Sequence, residues 1–144
     1  MEHLILSKEH LKQMENHIIQ NLPEEACGML GGRDSQVEVV IPITNQAHSP
    51  VKYFMEPVEM LKAFEWLEQH GLEMIATFHS HPMGPLHPSE TDIREFYYPG
   101  TAMLIWAPKE GVQWVVRGFV IEGSGYREIP ILFQNRNPEV ESGL

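Results

Sequence analysis

One short run of residues is suited to metal chemistry: His79-Ser80-His81. In extended backbone, side chains two apart point the same way, so two imidazoles project together. Imidazole nitrogen is a ligand suited to Zn²⁺, and two on one face supply half a tetrahedron. Asp92 lies eleven residues beyond His81 and three beyond Ser89. If the intervening loop folds back, its carboxylate completes a His₂Asp set and leaves a fourth position for water, the pattern of a catalytic zinc. Such a site also needs a group that moves protons, and carboxylates do this in zinc hydrolases. Glu24 and Glu25, just before an apolar run, are the candidates. Each feature also has a plainer reading. A His-x-His pair can be two solvated loop histidines. Ser89-x-x-Asp92 is also an ordinary capping box, worth about 1 kcal/mol. A Glu at a helix-to-strand junction is usually solvated.

These residues need a scaffold, and 144 residues are enough for one domain. Apolar residues make up 42% and charged residues 21%, a globular balance. Acidic residues outnumber basic ones 20 to 10, for a net charge of −10. That balance argues against nucleic acid and against an anionic membrane surface as partners. No apolar run reaches membrane-spanning length and no secretory leader is visible, so neither is expected. The single cysteine, Cys27, excludes an internal disulfide and a zinc site of several thiolates, and fits a reducing, cytoplasmic compartment.

Hydrophobic periodicity supplies the elements. Leu4-Ile5-Leu6 reads as a short strand, and Ser7 as the N-cap of a helix facing a core with Leu11, Met14, Ile18 and Leu22. Ala26 to Leu30 reads as a strand closed by a tight turn at Gly31-Gly32, paired as a hairpin with Val37 to Ile43. Asn45 to Lys52 reads as a loop. Pro57 opens a second helix carrying Leu61, Phe64 and Leu67, which stops at His70-Gly71. Glu73 to Phe78 is a near-continuous apolar run, as in a strand buried on both faces. His79 to Pro88, with three prolines and a glycine, is expected to be irregular. Ser89 caps a short helix, and three strands follow at Met103 to Trp106, Gln113 to Ile121 and Tyr126 to Phe133. Trp66, Trp106 and Trp114, like Met14, Met29, Met55, Met74 and Met103, read as core. The expected architecture is α/β (α+β): a mixed sheet of about six strands with two long helices and one short one. Residues 1–134 form the expected domain, and 135–144 a flexible tail. A polar loop leaving the end of a buried strand is where ligand sites of α/β sheets usually lie.

Taken together, Glu25-Ala26-Cys27-Gly28, His79-Ser80-His81-Pro82 and Ser89-Glu90-Thr91-Asp92 resemble the JAMM motif of the MPN/JAB1/Mov34 metalloproteases. That motif runs Glu, then His-Ser/Thr-His-Pro, then Ser and Asp at the spacing found here. The stretch from Asn45 to Pro57, with its Asn, Ser-Pro, aromatic-Met and Pro landmarks, resembles the matching part of compact prokaryotic members. The resemblance implies a single MPN-like domain of cytidine-deaminase-like architecture holding one Zn²⁺ per chain. It implies His79, His81 and Asp92 as metal ligands. It implies Glu25, rather than Glu24, as general base, because the family places its Glu two residues before the Cys of a Cys-Gly pair. It implies Ser89 as the donor to the tetrahedral oxyanion. His87 falls outside the motif and reads as a solvated loop residue.

The resemblance also implies a substrate class: the peptide or isopeptide bond after the Gly-Gly tail of a ubiquitin-like or sulfur-carrier (β-grasp) protein. The tail would lie as an added strand beside the zinc, with Tyr53 to Met55 as a candidate wall. Two other readings compete. One is a non-catalytic MPN-type scaffold that holds a ubiquitin-like partner. The other is a cysteine hydrolase using Cys27, for which no orienting third group is evident.

Overall fold

The structure, a computed structural model, describes residues 1–111 and 113–134; the tail expected from residue 135 lies outside them. The elements in order are β1 (Leu4–Leu6), α1 (Lys8–Asn21), β2 (Cys27–Arg33), β3 (Gln36–Ile43), α2 (Pro57–Gln69), β4 (Glu73–Ser80), α3 (Glu90–Arg94), β5 (Ala102–Lys109), β6 (Gln113–Glu122), β7 (Gly125–Ile129) and β8 (Ile131–Phe133). The strands form one mixed sheet in the order β7-β6-β5-β4-β2-β3-β1-β8. Pairing is parallel for β4 with β5 and for β1 with β3 and β8, and antiparallel elsewhere.

This order requires the sheet to curl. β7 and β8 lie at opposite ends of the eight strands, yet only Pro130 separates them in the chain. A flat sheet would set them about 34 Å apart, seven spacings of about 4.8 Å. The two edges are instead neighbours, and the Leu4 N–H donates to the Pro130 carbonyl at 3.1 Å. Proline has no N–H for the ladder, so the strand breaks there and its second half changes partner from β6 to β1. This break accounts for one strand of the difference between about six expected and eight observed. The stretch from Tyr126 to Phe133 is two strands.

The middle strands separate two packed layers. Leu30, Phe78, Leu104 and Trp106 face α1 and pack with Leu4, Leu6, Met14 and Ile18. Cys27, Met29, Ile43, Met55 and Ala63 pack on the opposite face, under α2. Met103, Ile105 and Phe119 continue that second face, with Leu86 and Phe96 packed against them. β4 is covered on both sides, as its continuous apolar run suggested, and Thr77 and His79 belong to the α2 side by alternation with Ala76 and Phe78.

Several local expectations need correction. Gly31 and Gly32 are not a turn but part of β2, at a register shift against both neighbours. A Cβ on Gly32 would run into the Gln36 carbonyl, so close backbone approach is what requires glycine there. The turn follows at Asp34, whose φ is 55°. His79 and Ser80 are the last residues of β4, and the irregular segment starts only at His81. Trp66 and Leu61 are on the surface rather than in the core. α2 packs through Ala63 and Leu67, and Leu61 lies about 200° around the helix from Ala63. Trp66 stacks on His70 at 3.9 Å instead. No helix among the described residues is long and apolar enough to cross a membrane.

Candidate metal centre and active site

The site forms where β4 ends. Strand alternation sends His79 to the α2 face, and the chain bends at His81, whose N–H donates to Trp106 O at 2.7 Å. The two Nε2 atoms stand 3.0 Å apart. α3 then brings Asp92 over the strand end. Its Oδ2 lies 3.1 Å from His79 Nε2 and 3.2 Å from His81 Nε2. The capping box is present as well. Asp92 N–H donates to Ser89 Oγ at 3.0 Å, and Ser89 N–H donates to Asp92 Oδ2 at 2.9 Å. Capping and convergence on the histidines are therefore one arrangement, and the cap holds the carboxylate in place.

Three donor atoms thus make a near-equilateral triangle with edges of 3.0–3.2 Å. A tetrahedral ion with bonds of about 2.0–2.1 Å sets its ligand atoms about 3.3–3.4 Å apart. The triangle is close to one face of such a tetrahedron. Tautomer chemistry agrees. A carbonyl can only accept, so His81 Nδ1 must carry the proton it shares with Pro85 O at 2.7 Å. That leaves the His81 Nε2 lone pair facing the centre, the arrangement of a metal-binding histidine. His79 is fixed differently. Its Nδ1 has no partner among the described residues, and Tyr53 stacks on its ring at 4.4 Å. The donor set fits a metal site.

Glu25 lies beside the triangle. It is only 4% exposed, and its carboxylate falls within 4.8 Å of both imidazole donor atoms. Glu24 instead turns outward and meets His48 at 3.0 Å. Glu25 precedes β2, so loop contacts hold its backbone. Its N–H donates to Ser49 O at 2.8 Å, and its carbonyl accepts from Asn45 Nδ2 at 3.0 Å. Its neighbour Ala26 is tied to β4 by Ser80. Ala26 N–H donates to Ser80 Oγ at 2.8 Å, and Ser80 N–H donates to Ala26 O at 3.0 Å.

Electrostatics sort these groups. Burial, reinforced by Asp92 and opposed by His81, raises the Glu25 carboxyl to about 8. Burial would also raise Asp92, but hydrogen bonds from both imidazoles and from Ser89 N–H hold it well below the usual carboxylate range. Burial lowers His79, with only partial compensation from Asp92. Burial also acts to lower His81, but Asp92, Pro85 O and Glu25 outweigh it and raise that imidazole. Two carboxyl groups side by side are thus pushed apart, one toward holding a proton and one toward constant charge, as in sites that divide acid–base work between two groups.

A cleft of about 390 Å³ opens from this point. Val51, Tyr53, Phe54, Met55, Thr77, Phe96, Tyr97 and Tyr98 line it, together with Ser89 and Asp92 of the triangle's helix. Cys27 lies under the site with no exposure. Its Sγ donates to Ile43 O at 3.5 Å, and burial pushes its thiol up to about 12. A buried, protonated thiol is no nucleophile, so the cysteine-hydrolase reading has no support. His87 is exposed and stacks on Tyr126 at 6.1 Å. Ser80 and Asn45 stand in the sequence only as a motif position and a loop landmark, with no role attached. A hydroxyl between two histidines and an Asn opening a loop were visible, but their partners are 54 and 20 residues away.

Comparison with known proteins gives the family of the chain. Residues 7–118 match the family of prokaryotic homologues of the JAB domain, a span holding Glu25, His79, His81, Ser89 and Asp92. A Thermus thermophilus protein named "Probable TtuB-protein conjugate cleaving protease" is 42% identical over 86 residues, 59% of this chain and 57% of that one. The chain therefore spans little more than half the length of that relative. A CysO-cysteine peptidase of Mycobacterium tuberculosis is 26% identical over 130 residues, 89% of each chain. The solution structure of protein DSY2949 from Desulfitobacterium hafniense superposes with a TM-score of 0.85 at 36% identity, covering 94% of this chain and 96% of that one. On sequence and fold together, the chain belongs to the prokaryotic JAB-domain (JAB/MPN) family.

Proposed function

We propose that the chain is a zinc-dependent hydrolase, a peptidase or isopeptidase that cuts after the C-terminal Gly-Gly tail of a ubiquitin-like or sulfur-carrier protein. The observation that carries the reading is the donor triangle of His79, His81 and Asp92 with the buried Glu25 carboxyl beside it. The relatives' names, a conjugate-cleaving protease and a CysO-cysteine peptidase, support the substrate class. His79, His81 and Asp92 would hold the ion; two nitrogens and one oxygen, with a position left open, suit a catalytic Zn²⁺. When bound, Zn²⁺ supplies a Lewis acid that lowers the pKa of water to about 7.

The chain's own residues do the rest. Glu25, raised to about 8, is matched to proton exchange near neutral pH. It takes a proton from the attacking water and passes it to the leaving amine. Ser89 Oγ already accepts from Asp92 N–H, so its own hydrogen is free to point into the cleft, toward the carbonyl oxygen that gains charge. The cleft beside Tyr53–Met55 takes an extended tail, and glycines present no side chain to its aromatic walls. A reducing, cytoplasmic setting suits the single buried thiol.

The test uses the zinc-loaded chain and Gly-Gly-tailed fusions, read by mass spectrometry. The expected result is cleavage directly after the second glycine, about one zinc per chain, and loss of activity on chelation with recovery on adding Zn²⁺. Glu25→Gln keeps the metal and loses turnover. Full activity in Glu25→Gln would overturn the mechanism. Unchanged mass of every fusion after long incubation would favour the non-catalytic scaffold instead.

A further inference from the structure

Glu25 lies outside the sheet ladder, so something else must fix it against the imidazoles. We propose that Asn45 is the positioning residue that does so, bracing the Glu25 backbone to the wall of the cleft. The inference rests on reading Glu25 as the group that moves the proton.

Asn45 is 5% exposed, and its amide is fully used. An Asn side chain offers two N–H donors and an oxygen with two lone pairs. Here Nδ2 donates to Glu25 O and to Lys52 O, both at 3.0 Å. Oδ1 accepts from Ala47 N–H and Phe54 N–H, also both at 3.0 Å. A buried polar group satisfied at every position rigidifies what it joins. What it joins is informative. On one side is the peptide of Glu25. On the other are Lys52 and Phe54, the two neighbours of Tyr53, whose ring stacks on His79. One side chain therefore ties the Glu25 carbonyl to the segment whose Tyr53 lies on His79, and so supports the Glu25 N–H bond to Ser49 O from the other side of the residue. His79, His81 and Asp92 themselves come from β4, the bend after it and α3, and make no bond to Asn45. Loosening the brace should move the base and spare the metal ligands. Displacing a reacting group by about 1 Å can cost about 100-fold in rate.

Two variants of the full-length, zinc-loaded chain separate the effects. Asn45→Ala removes all four bonds. Asn45→Asp keeps an oxygen for the Ala47 and Phe54 N–H groups but puts an oxygen where the Glu25 and Lys52 carbonyls need a donor. Both are expected to lower kcat by about 10–100-fold. Zinc affinity, measured by competition with a chelator, should stay within about threefold. Amide hydrogen exchange gives a readout that needs no turnover. Glu25 should exchange at least about tenfold faster in both variants, while Thr77 to Ser80 stay as protected as in the parent chain. Unchanged exchange at Glu25 overturns the proposal. So does a fall in zinc affinity that tracks the fall in kcat, because that assigns Asn45 to the fold as a whole. A parent chain that cuts no tail sinks the hydrolase reading, and the exchange measurement still decides the brace.

Discussion

At the scale of single residues, the site economises on atoms. Asp92 Oδ2 caps α3 and faces two imidazoles at once, and Ser89 Oγ caps the same helix at the edge of the cleft. Removing that hydroxyl therefore has two separable effects. Ser89→Ala should cost about 0.5–2 kcal/mol of stability in urea unfolding, from the lost cap. Turnover of a tail fusion should fall about 100- to 1,000-fold from the lost oxyanion donor, with zinc content unchanged. Loss of stability without loss of kcat would leave Ser89 only its cap. His79, His81 and Asp92 were legible because their types and spacing are local facts. Which of Glu24 and Glu25 faces the imidazoles depends on where β2 begins, and the residue pattern left it open until the resemblance was drawn. The structure buries Glu25 and leaves Glu24 with His48 at the surface.

At the scale of elements, β2 is closely hemmed in at its glycines, Gly28, Gly31 and Gly32. It lies between β3 and β4, and its first residue, Cys27, stands two beyond Glu25. Gly28 is one of these three close approaches. A Cβ there would meet the Phe78 ring and come to 2.7 Å from Ile41 O, and neither the backbone carbonyl nor a fully buried ring can yield. Gly28→Ala should destabilise the chain by about 1–3 kcal/mol by overpacking, read as a lower urea midpoint at unchanged slope. A neutral result would mean that β2 has room to shift. Element types were readable from period and length, and the N-cap at Ser7 and the capping box at Ser89 from their residues. Element ends were less so. The Gly31-Gly32 pair has the signature of a turn, but a bulge against two neighbouring strands uses glycine for the same reason, close backbone approach. On α2, Leu61 and Trp66 looked like core because apolar type was taken for burial, whereas Ala63 and Leu67 occupy the face that meets the sheet.

At the scale of the whole molecule, burying a carboxyl beside a second one links the site to stability. Glu25 titrates near 8 in the fold and near 4.5 as a free side chain. Its folded pKa is the higher, so its contribution is fully present below about 4.5 and is lost as pH rises toward about 8. Asp92 has the opposite sign, and its contribution fades only in strong acid. Chelator-treated protein should therefore lose Tm between pH 5 and 8 more steeply than chelator-treated Glu25→Gln, read by calorimetry. Equal slopes would show that Glu25 keeps an ordinary pKa. The sequence by itself determined the α/β class, the layered core and the motif spacing, because each is written in local chemistry: apolar period, caps and side-chain alternation. Only the tertiary structure decided that β7 and β8 change partners at Pro130 and draw the sheet edges together, and that Asn45 and Ser80 grip Glu25 and Ala26. Those outcomes depend on contacts between residues up to 128 positions apart, such as Leu6 with Gln134. No local pattern records a partner so distant, because a carbonyl or an amide looks the same in sequence whichever group it meets in space.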